Sequence, residues 1–309
     1  MRAESARHYI ANIQMQKMKI IADSGSTKTD WLVMEGSVVV AQIHTGGMNP
    51  YFLTTDELVD VYAESPLKKY ASNGLDALPD ADVATAGGVD EIWFYGAGCT
   101  PGEKTEMVTE ALRRVFGLSC AIYVYSDMVG AARALCQQSE GVACILGTGS
   151  NSCLYDGHDV VKNVSPLGFI LGDEGSGANL GKLLVGNILK DQMGEELKRA
   201  FMDETGLTPT DIIDRVYRKP LPNRWLASLS PFIAKHLDNE AVRAMVKDAF
   251  GAFFDRTIRN YGRPDLLVGM VGSIAWYYQD IIRVVADEKG YRIGKIMRTP
   301  LDGLQAYHG

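Results

Sequence analysis

Nowhere does the sequence run for the roughly twenty consecutive apolar residues that a membrane-spanning helix needs, and residues 1–17 hold no apolar stretch of the kind a secretory leader carries. A cytoplasmic protein is expected. Positive charge is also scarce. Lys and Arg number 31 against 38 Asp and Glu, a formal net charge of -7, whereas general nucleic-acid binding requires a basic surface. Any phosphate contact must therefore be local. The cysteines are few: Cys99, Cys120, Cys136, Cys144 and Cys153, odd in number, without C-x-x-C spacing and set in apolar, strand-like surroundings. Buried reduced thiols are the expectation. Low-complexity tracts are missing, and with 46% hydrophobic and 22% charged residues the chain should fold throughout. Its 309 residues exceed what one core usually supports, so two domains with a cleft between them are expected.

The pattern along the chain repeats. Residues 1–17 carry no clear apolar period and read as an N-terminal extension. From Lys19 the text gives a strand (Ile20 to Ala22), a turn rich in Ser, Gly and Thr (Asp23 to Thr29), and strands Trp31 to Met34 and Val38 to Ile43, a β-meander. Helical periodicity at Leu58 to Tyr70 precedes strand Ile92 to Tyr95, helix Glu103 to Val115, strand Ala121 to Tyr125 and helix Asp127 to Cys136. The meander then begins again with Val142 to Leu146, Ser152 to Tyr155 and Val160 to Val164. A long helical region, 175–258 with breaks near Gly206 and Pro220, leads to strand Leu266 to Val271, helix Ile274 to Lys289 and strand Tyr291 to Ile296. Domains are expected at 18–137 and 138–299, with a short helix at 300–309 returning to the first. Two copies of a meander feeding an α/β layer indicate a duplicated domain, with a ligand at the seam.

Two turns occupy matching points of the copies. In the first, Asp23-Ser24-Gly25-Ser26-Thr27-Lys28-Thr29, small residues between two strands let N–H groups and hydroxyls approach an anionic phosphate. Asp23 is suited to hold Mg²⁺ through water, since that ion keeps several waters and uses few carboxylates. Alone, an ordinary hairpin with an Asx cap would explain it as well. The second turn, Gly147-Thr148-Gly149-Ser150-Asn151, makes coincidence the weaker explanation, and the two are expected to grip a polyphosphate from both sides. Neither is a Walker A loop or a dinucleotide fingerprint, because each is followed by a strand. Asp127 closes an apolar strand and opens a helix, a position that lines ligand crevices in α/β domains. It could equally be a helix N-cap, a role Ser126 could fill instead. Asp173 and Glu174 lie between glycines ahead of a helix, where a solvated acidic first turn is the plainer reading.

These motifs, with Asn49 after the third strand, Ser126-Asp127, Gly-Asp-Glu-Gly-Ser-Gly at 172–177 and Val-Gly-Ser at 271–273, resemble the N-acetylglucosamine kinase branch of the sugar kinase, actin and heat-shock chaperone ATPase superfamily. The resemblance runs from about Met18 to the C-terminus and also takes in the ATPases that activate acyl-CoA reductases and dehydratases. It implies duplicated ribonuclease H-like (actin-like ATPase) domains, each a five-stranded mixed sheet with flanking helices, around an interdomain cleft. It implies ATP and Mg²⁺ as cofactors and transfer of phosphate to an N-acetylated amino sugar, N-acetylglucosamine first, at the 6-hydroxyl. Asp127 is then the general base and a substrate ligand, and Asp23 the magnesium residue. Ser24, Gly25, Ser26, Thr27, Lys28, Thr148, Gly149, Gly272 and Ser273 are assigned to ATP, the last two to its adenosine. Asn49, Tyr51, Gly96, Ala97, Gly98, Asn151, Asp173 and Glu174 are assigned to the sugar. The family's usual tryptophan is missing and Tyr51 stands near its place, a departure that leaves the sugar's identity open.

Three alternatives are carried. N-acetylmuramate or another hexose could be the acceptor, since one lactyl group or one epimer is decided by loop geometry. An acyl-CoA enzyme activator would need cysteines placed for a shared iron–sulfur cluster, and none of the five is in a suitable glycine-rich context. A sugar-sensing regulator would need a DNA-binding module, for which seventeen N-terminal residues are too few. No nucleic-acid or membrane partner is expected. A homodimer is common among proteins of this kind.

Overall fold

The computed structural model describes residues 17–71 and 88–309, so most of the expected N-terminal extension lies outside the described residues. The described residues divide into two compact units, one running to Gly130 and taking in Leu301–Gly309, the other Ala131–Pro300. The division falls inside the helix Asp127–Cys136. Among the described residues no helix is long and apolar enough to cross a membrane.

The first unit is built on strands β1 (Met18–Ser24), β2 (Lys28–Glu35), β3 (Val38–Gly46), β4 (Glu91–Gly96) and β5 (Ala121–Ser126), ordered β3-β2-β1-β4-β5. β1 to β3 form the antiparallel meander, and β1, β4 and β5 run parallel. β2 carries six consecutive buried residues, as a central strand covered on both faces should. Trp31 at its middle sets its ring edge-on to Tyr62 of the helix Thr55–Ala63, with centroids 5.4 Å apart, and tilts against Phe94 of β4 at 5.8 Å. Those aromatics join Ile20, Val33, Val108, Leu112 and Phe116 in one core. The helix start at Thr54 is secured by a capping box with Glu57. The sequence period runs on to Tyr70, but the helix stops at Ala63 and Pro66–Tyr70 forms a separate 3₁₀ turn, because proline disfavours helical backbone at the residue before it.

The second unit repeats the plan with β6 (Gly141–Leu146), β7 (Ser150–Tyr155), β8 (Val160–Asn163), β9 (Leu267–Val271) and β10 (Arg292–Met297), ordered β10-β9-β6-β7-β8. From the meander edge inward, this is the first unit's order. Between β8 and β9 stands the helical segment, whose axis is the largely buried helix Gly177–Leu189. Gly181 lets it press against the short helix Pro222–Ala227: a Cβ there would lie 2.1 Å from the Leu226 carbonyl oxygen. Gly177 does the same against Ala227 at 3.0 Å. Glycine in a helix is unfavourable by about 1 kcal/mol relative to alanine, and here that loss permits the close approach of two backbones.

Candidate functional site

In the first unit the parallel strands end in register. Ser24, Gly96 and Ser126 form one row across β1, β4 and β5, with Asp23, Tyr95 and Tyr125 in the row before it. The segments leaving these strands, from Ser24, from Gly96 and from Asp127, therefore emerge side by side at the carboxyl edge of the sheet, where ligands of open α/β sheets bind.

The first loop is pinned from below. The hydroxyls of Ser24 and Thr29 share a 2.8 Å hydrogen bond, Met48 N–H donates to Ser24 Oγ, and Gly47 N–H donates to the Thr27 carbonyl. Gly47 has to be glycine, since a Cβ would come within 2.4 Å of the Ser26 carbonyl carbon. Ser26, Thr27 and Lys28 remain exposed, while Ser24 is 1% exposed and acts in scaffolding. Lys28 leans on buried Asp30 at 2.6 Å, and Asp30 also meets His44 Nδ1.

Asn49 ties this loop to the next. Its Nδ2 donates to Ser26 Oγ at 2.9 Å and its Oδ1 accepts from Tyr51 N–H. Gly98, at φ +81°, closes against the same amide, where a Cβ would meet Asn49 Oδ1 at 2.3 Å and the Tyr51 ring at 2.9 Å. Ala97 N–H donates to the Ser24 carbonyl at 2.7 Å. Ser26, Asn49, Tyr51 and Gly96 to Gly98, far apart in sequence, thus form one contiguous patch.

Asp127 opens its helix beside this patch. Ser126 Oγ accepts from Val129 N–H at 3.4 Å and so supplies the cap. The Asp127 carboxylate accepts from its own N–H and that of Met128, and its surroundings leave only part of its surface open. Burial pushes its carboxyl above the usual range, partly opposed by those N–H groups. Asp23 is pushed up to about 7, first by burial and then by the charges of Asp127 and Asp30, with Lys28 opposing. A cation near Asp23 would relieve that excess. Among the described residues no cluster of three or more His, Cys, Asp or Glu could hold a metal. A buried carboxylate at Asp23 beside the hydroxyl-rich loop fits Mg²⁺, which binds through one or two carboxylates, waters and substrate phosphates.

In the second unit the loop 147–151 is held by the segment 172–178. Gly177 N–H donates to the Gly147 carbonyl at 2.9 Å and Ala178 N–H to that of Thr148 at 3.0 Å. Asp173, at φ +51°, packs its carboxylate on Gly149, where a Cβ would lie 2.9 Å from Oδ2. Its carboxyl is raised to about 6 by burial, with Glu174 adding to the rise and a hydrogen bond from Ser150 N–H opposing it. Glu174 turns away into a 2.9 Å ion pair with Arg256. Asn151 Oδ1 accepts from Asn163 Nδ2 on β8 at 2.9 Å, so this amide is engaged inside its own sheet.

Beside the loop opens a cavity of about 750 Å³. Thr148 and Ser273 line it together, with Ile274 and Tyr277 from the helix Ser273–Tyr277 and Arg224 and Ser228 from the helical segment. Gly272, at φ +123°, lies so close to the end of β6 that a Cβ would sit 2.2 Å from the Leu146 carbonyl oxygen. Sequence reasoning missed Arg224 and Ser228, which lie in a stretch broken by Pro220, Pro222 and Pro231, and Tyr277, which ends the helix opening at Ser273. The five cysteines are free; Cys99, Cys120, Cys144 and Cys153 are buried and Cys136 is half-buried, with burial raising every thiol.

No family model matches the chain, and no curated protein matches it. Solved structures do. A candidate N-acetylglucosamine kinase from Porphyromonas gingivalis is 46% identical, covering 94% of this chain and 98% of its own, with a TM-score of 0.85. A second candidate N-acetylglucosamine kinase, from Chromobacterium violaceum, is 15% identical over 96% of this chain and 100% of its own, with a TM-score of 0.69. MreB 5 of Spiroplasma citri, bound to AMPPNP, is 9% identical over 94% and 93%, with a TM-score of 0.52. The last two speak to the fold alone, an actin-like ATPase fold with two five-stranded mixed sheets.

Proposed function

The chain belongs to the N-acetylglucosamine kinase-like branch of the sugar kinase and actin-like ATPase superfamily, and from that membership we propose that it transfers the γ-phosphoryl group of ATP to an N-acetylated hexosamine, N-acetylglucosamine at its 6-hydroxyl. The observation that supports this most is the gathering of Asp127, Asp23, the Gly96 to Gly98 loop and Asn49 at one edge of the first sheet.

Asp127 is the base. Ser126 caps the Val129 N–H, the Asp127 carboxylate is held at the helix start by its own N–H and that of Met128, and burial raises its proton affinity. As the sugar oxygen forms its bond to the γ-phosphorus, Asp127 takes the hydroxyl proton and the bond to the β-phosphate oxygen breaks, releasing ADP. Phosphoryl transfer demands mainly alignment and charge stabilisation, so the remaining residues hold and exclude. Asn49, Tyr51 and the Gly96 to Gly98 backbone orient the sugar, with Asp173 as a further ligand, while Asn151 and Glu174 are engaged by Asn163 and Arg256. Gly25 to Lys28 and Thr148 with Gly149 carry the phosphates, with buried Ser24 bracing the first loop from below. Ser273, directly after Gly272, lines the cavity proposed for adenosine, and Arg224 joins it there. Mg²⁺ at Asp23, when bound, neutralises charge on the phosphates.

A coupled ADP-release screen over acetylated and plain hexoses tests the reading. N-acetylglucosamine is expected to give the highest kcat/KM, with Asp127→Asn abolishing most of the signal. ADP release independent of any sugar would end the kinase assignment, and preference for a plain hexose or N-acetylmuramate would move the substrate.

A further inference from the structure

Tyr95 is completely buried, one residue before Gly96 and in the register row that holds Asp23. Its ring supports the first turn of the Asp127 helix. A Cβ at Gly130 would lie 2.8 Å from Tyr95 Cβ, 2.9 Å from Cγ and 3.0 Å from Cδ1. The Gly130 backbone therefore rests on the near end of the Tyr95 side chain, three residues after the proposed base. The far end of that phenol is held by the last helix of the chain, Leu301–His308: Tyr95 Oη and His308 Nε2 share a 2.8 Å hydrogen bond. His308 is itself braced. Its ring lies 4.3 Å from that of Trp93, and its carbonyl accepts from Lys19 Nζ on β1.

We propose that His308 and Tyr95 form a strut that positions Asp127, so that the C-terminal helix sets the geometry of the proposed base. Both are positioning residues: the Tyr95 side chain is wholly buried and bonded to His308, and neither is proposed to touch substrate. The inference rests on the kinase reading for its effect on turnover. Its physical basis is the narrow tolerance of proton transfer: a general base works at about 2.6–3.2 Å from the proton's parent atom, and a misplacement of about 1 Å can lower the rate by roughly 10²-fold. A ring released at its hydroxyl can shift along Gly130, and the first turn shifts with it.

The full chain is tested as Tyr95→Phe, His308→Ala, His308→Gln and the Tyr95→Phe/His308→Ala pair. Tyr95→Phe and His308→Ala are each expected to lower kcat by about 5- to 20-fold, leaving KM for sugar and ATP within about twofold. The double variant should be no worse than either single one, since both break the same bond. His308→Gln, which offers an amide near the Nε2 position, should recover most of the turnover. A kcat within about twofold of the parent in both single variants, or losses that multiply in the double, would overturn the strut. So would melting temperatures that fall while kcat holds, which a purely structural bond would produce. Hydrogen–deuterium exchange over residues 127–130 reads the strut without any reaction: faster exchange is expected in both single variants, and unchanged exchange overturns it. Should the parent protein release no ADP with any sugar, the kinase reading fails while the exchange measurement still decides the strut.

Discussion

The two units share one strand order and differ at the ends of their parallel strands. In the first, carboxylates flank the strand ends, Asp23 one residue before the end of β1 and Asp127 one residue after that of β5, both raised by burial. In the second, β6 and β9 run out into Gly147 and Gly272, and the volume beside them is supplied by the helical segment. On the proposed function, the first unit supplies the base and the cation site and its copy takes the adenosine. The difference comes from a few residues at strand ends and one insertion, with the sheets left alike.

That contrast is open to direct measurement. The largest effect is expected from Asp127→Asn, which should lower turnover by roughly 10²- to 10⁴-fold while ATP affinity, measured by calorimetry, stays near the parent value. Equal loss of ATP binding would erase the division of labour between the units.

Thiol chemistry offers a second comparison. Burial lifts Cys99 to about 12 in the first unit and Cys153 to about 12 in the second. A raised thiol pKa delays the thiolate to higher pH, so native alkylation by iodoacetamide at pH 8 should be about 10²- to 10³-fold slower than in the urea-unfolded chain. Rapid labelling of either residue in the native protein would show that its unit opens.

Gly272→Ala places a Cβ 2.2 Å from a carbonyl oxygen at a backbone angle of +123°. A destabilisation of about 2–3 kcal/mol is expected, read as a lower melting temperature, together with a smaller ATP-induced thermal shift. An unchanged ATP shift would separate Gly272 from nucleotide binding.

The smallest effect should come from Arg224→Ala, which removes a guanidinium from the cavity wall. Loss of one charge-assisted contact of about 1.5 kcal/mol would raise KM for ATP by roughly tenfold with kcat little changed. A change in sugar KM alone would reassign the cavity.

Much of the architecture was legible because it arises from local periodicity. The repeated meander, the strand Glu91–Gly96 and the helix Asp127–Cys136 all stand where alternation and apolar period put them. The stretch 175–258 read correctly as helical, with breaks near Gly206 and Pro220. Its division into short helices such as Pro222–Ala227 and Ser230–Lys235 did not, because those breaks fit the packing of Gly181 and Gly177. Helix Ile274 to Lys289 is likewise one element in the sequence and two in the structure, Ser273–Tyr277 and Gln279–Glu288. At the site, the chemistry-bearing residue types were visible and their contacts were not. Nothing local announces that Asn49 joins Ser26 to Gly98, that Glu174 spends its charge on Arg256, or that Arg224 shares a cavity wall with Thr148.

The amino-acid order alone set the duplication, the strand sequence within each copy and the glycine-rich turns, since these depend on side-chain period and on backbone freedom within a few residues. Which atoms meet was decided in three dimensions. The Tyr95 to His308 bond spans 213 residues and the Lys19 to His308 bond 289, and contacts of that range exist only once both sheet and helix have been packed.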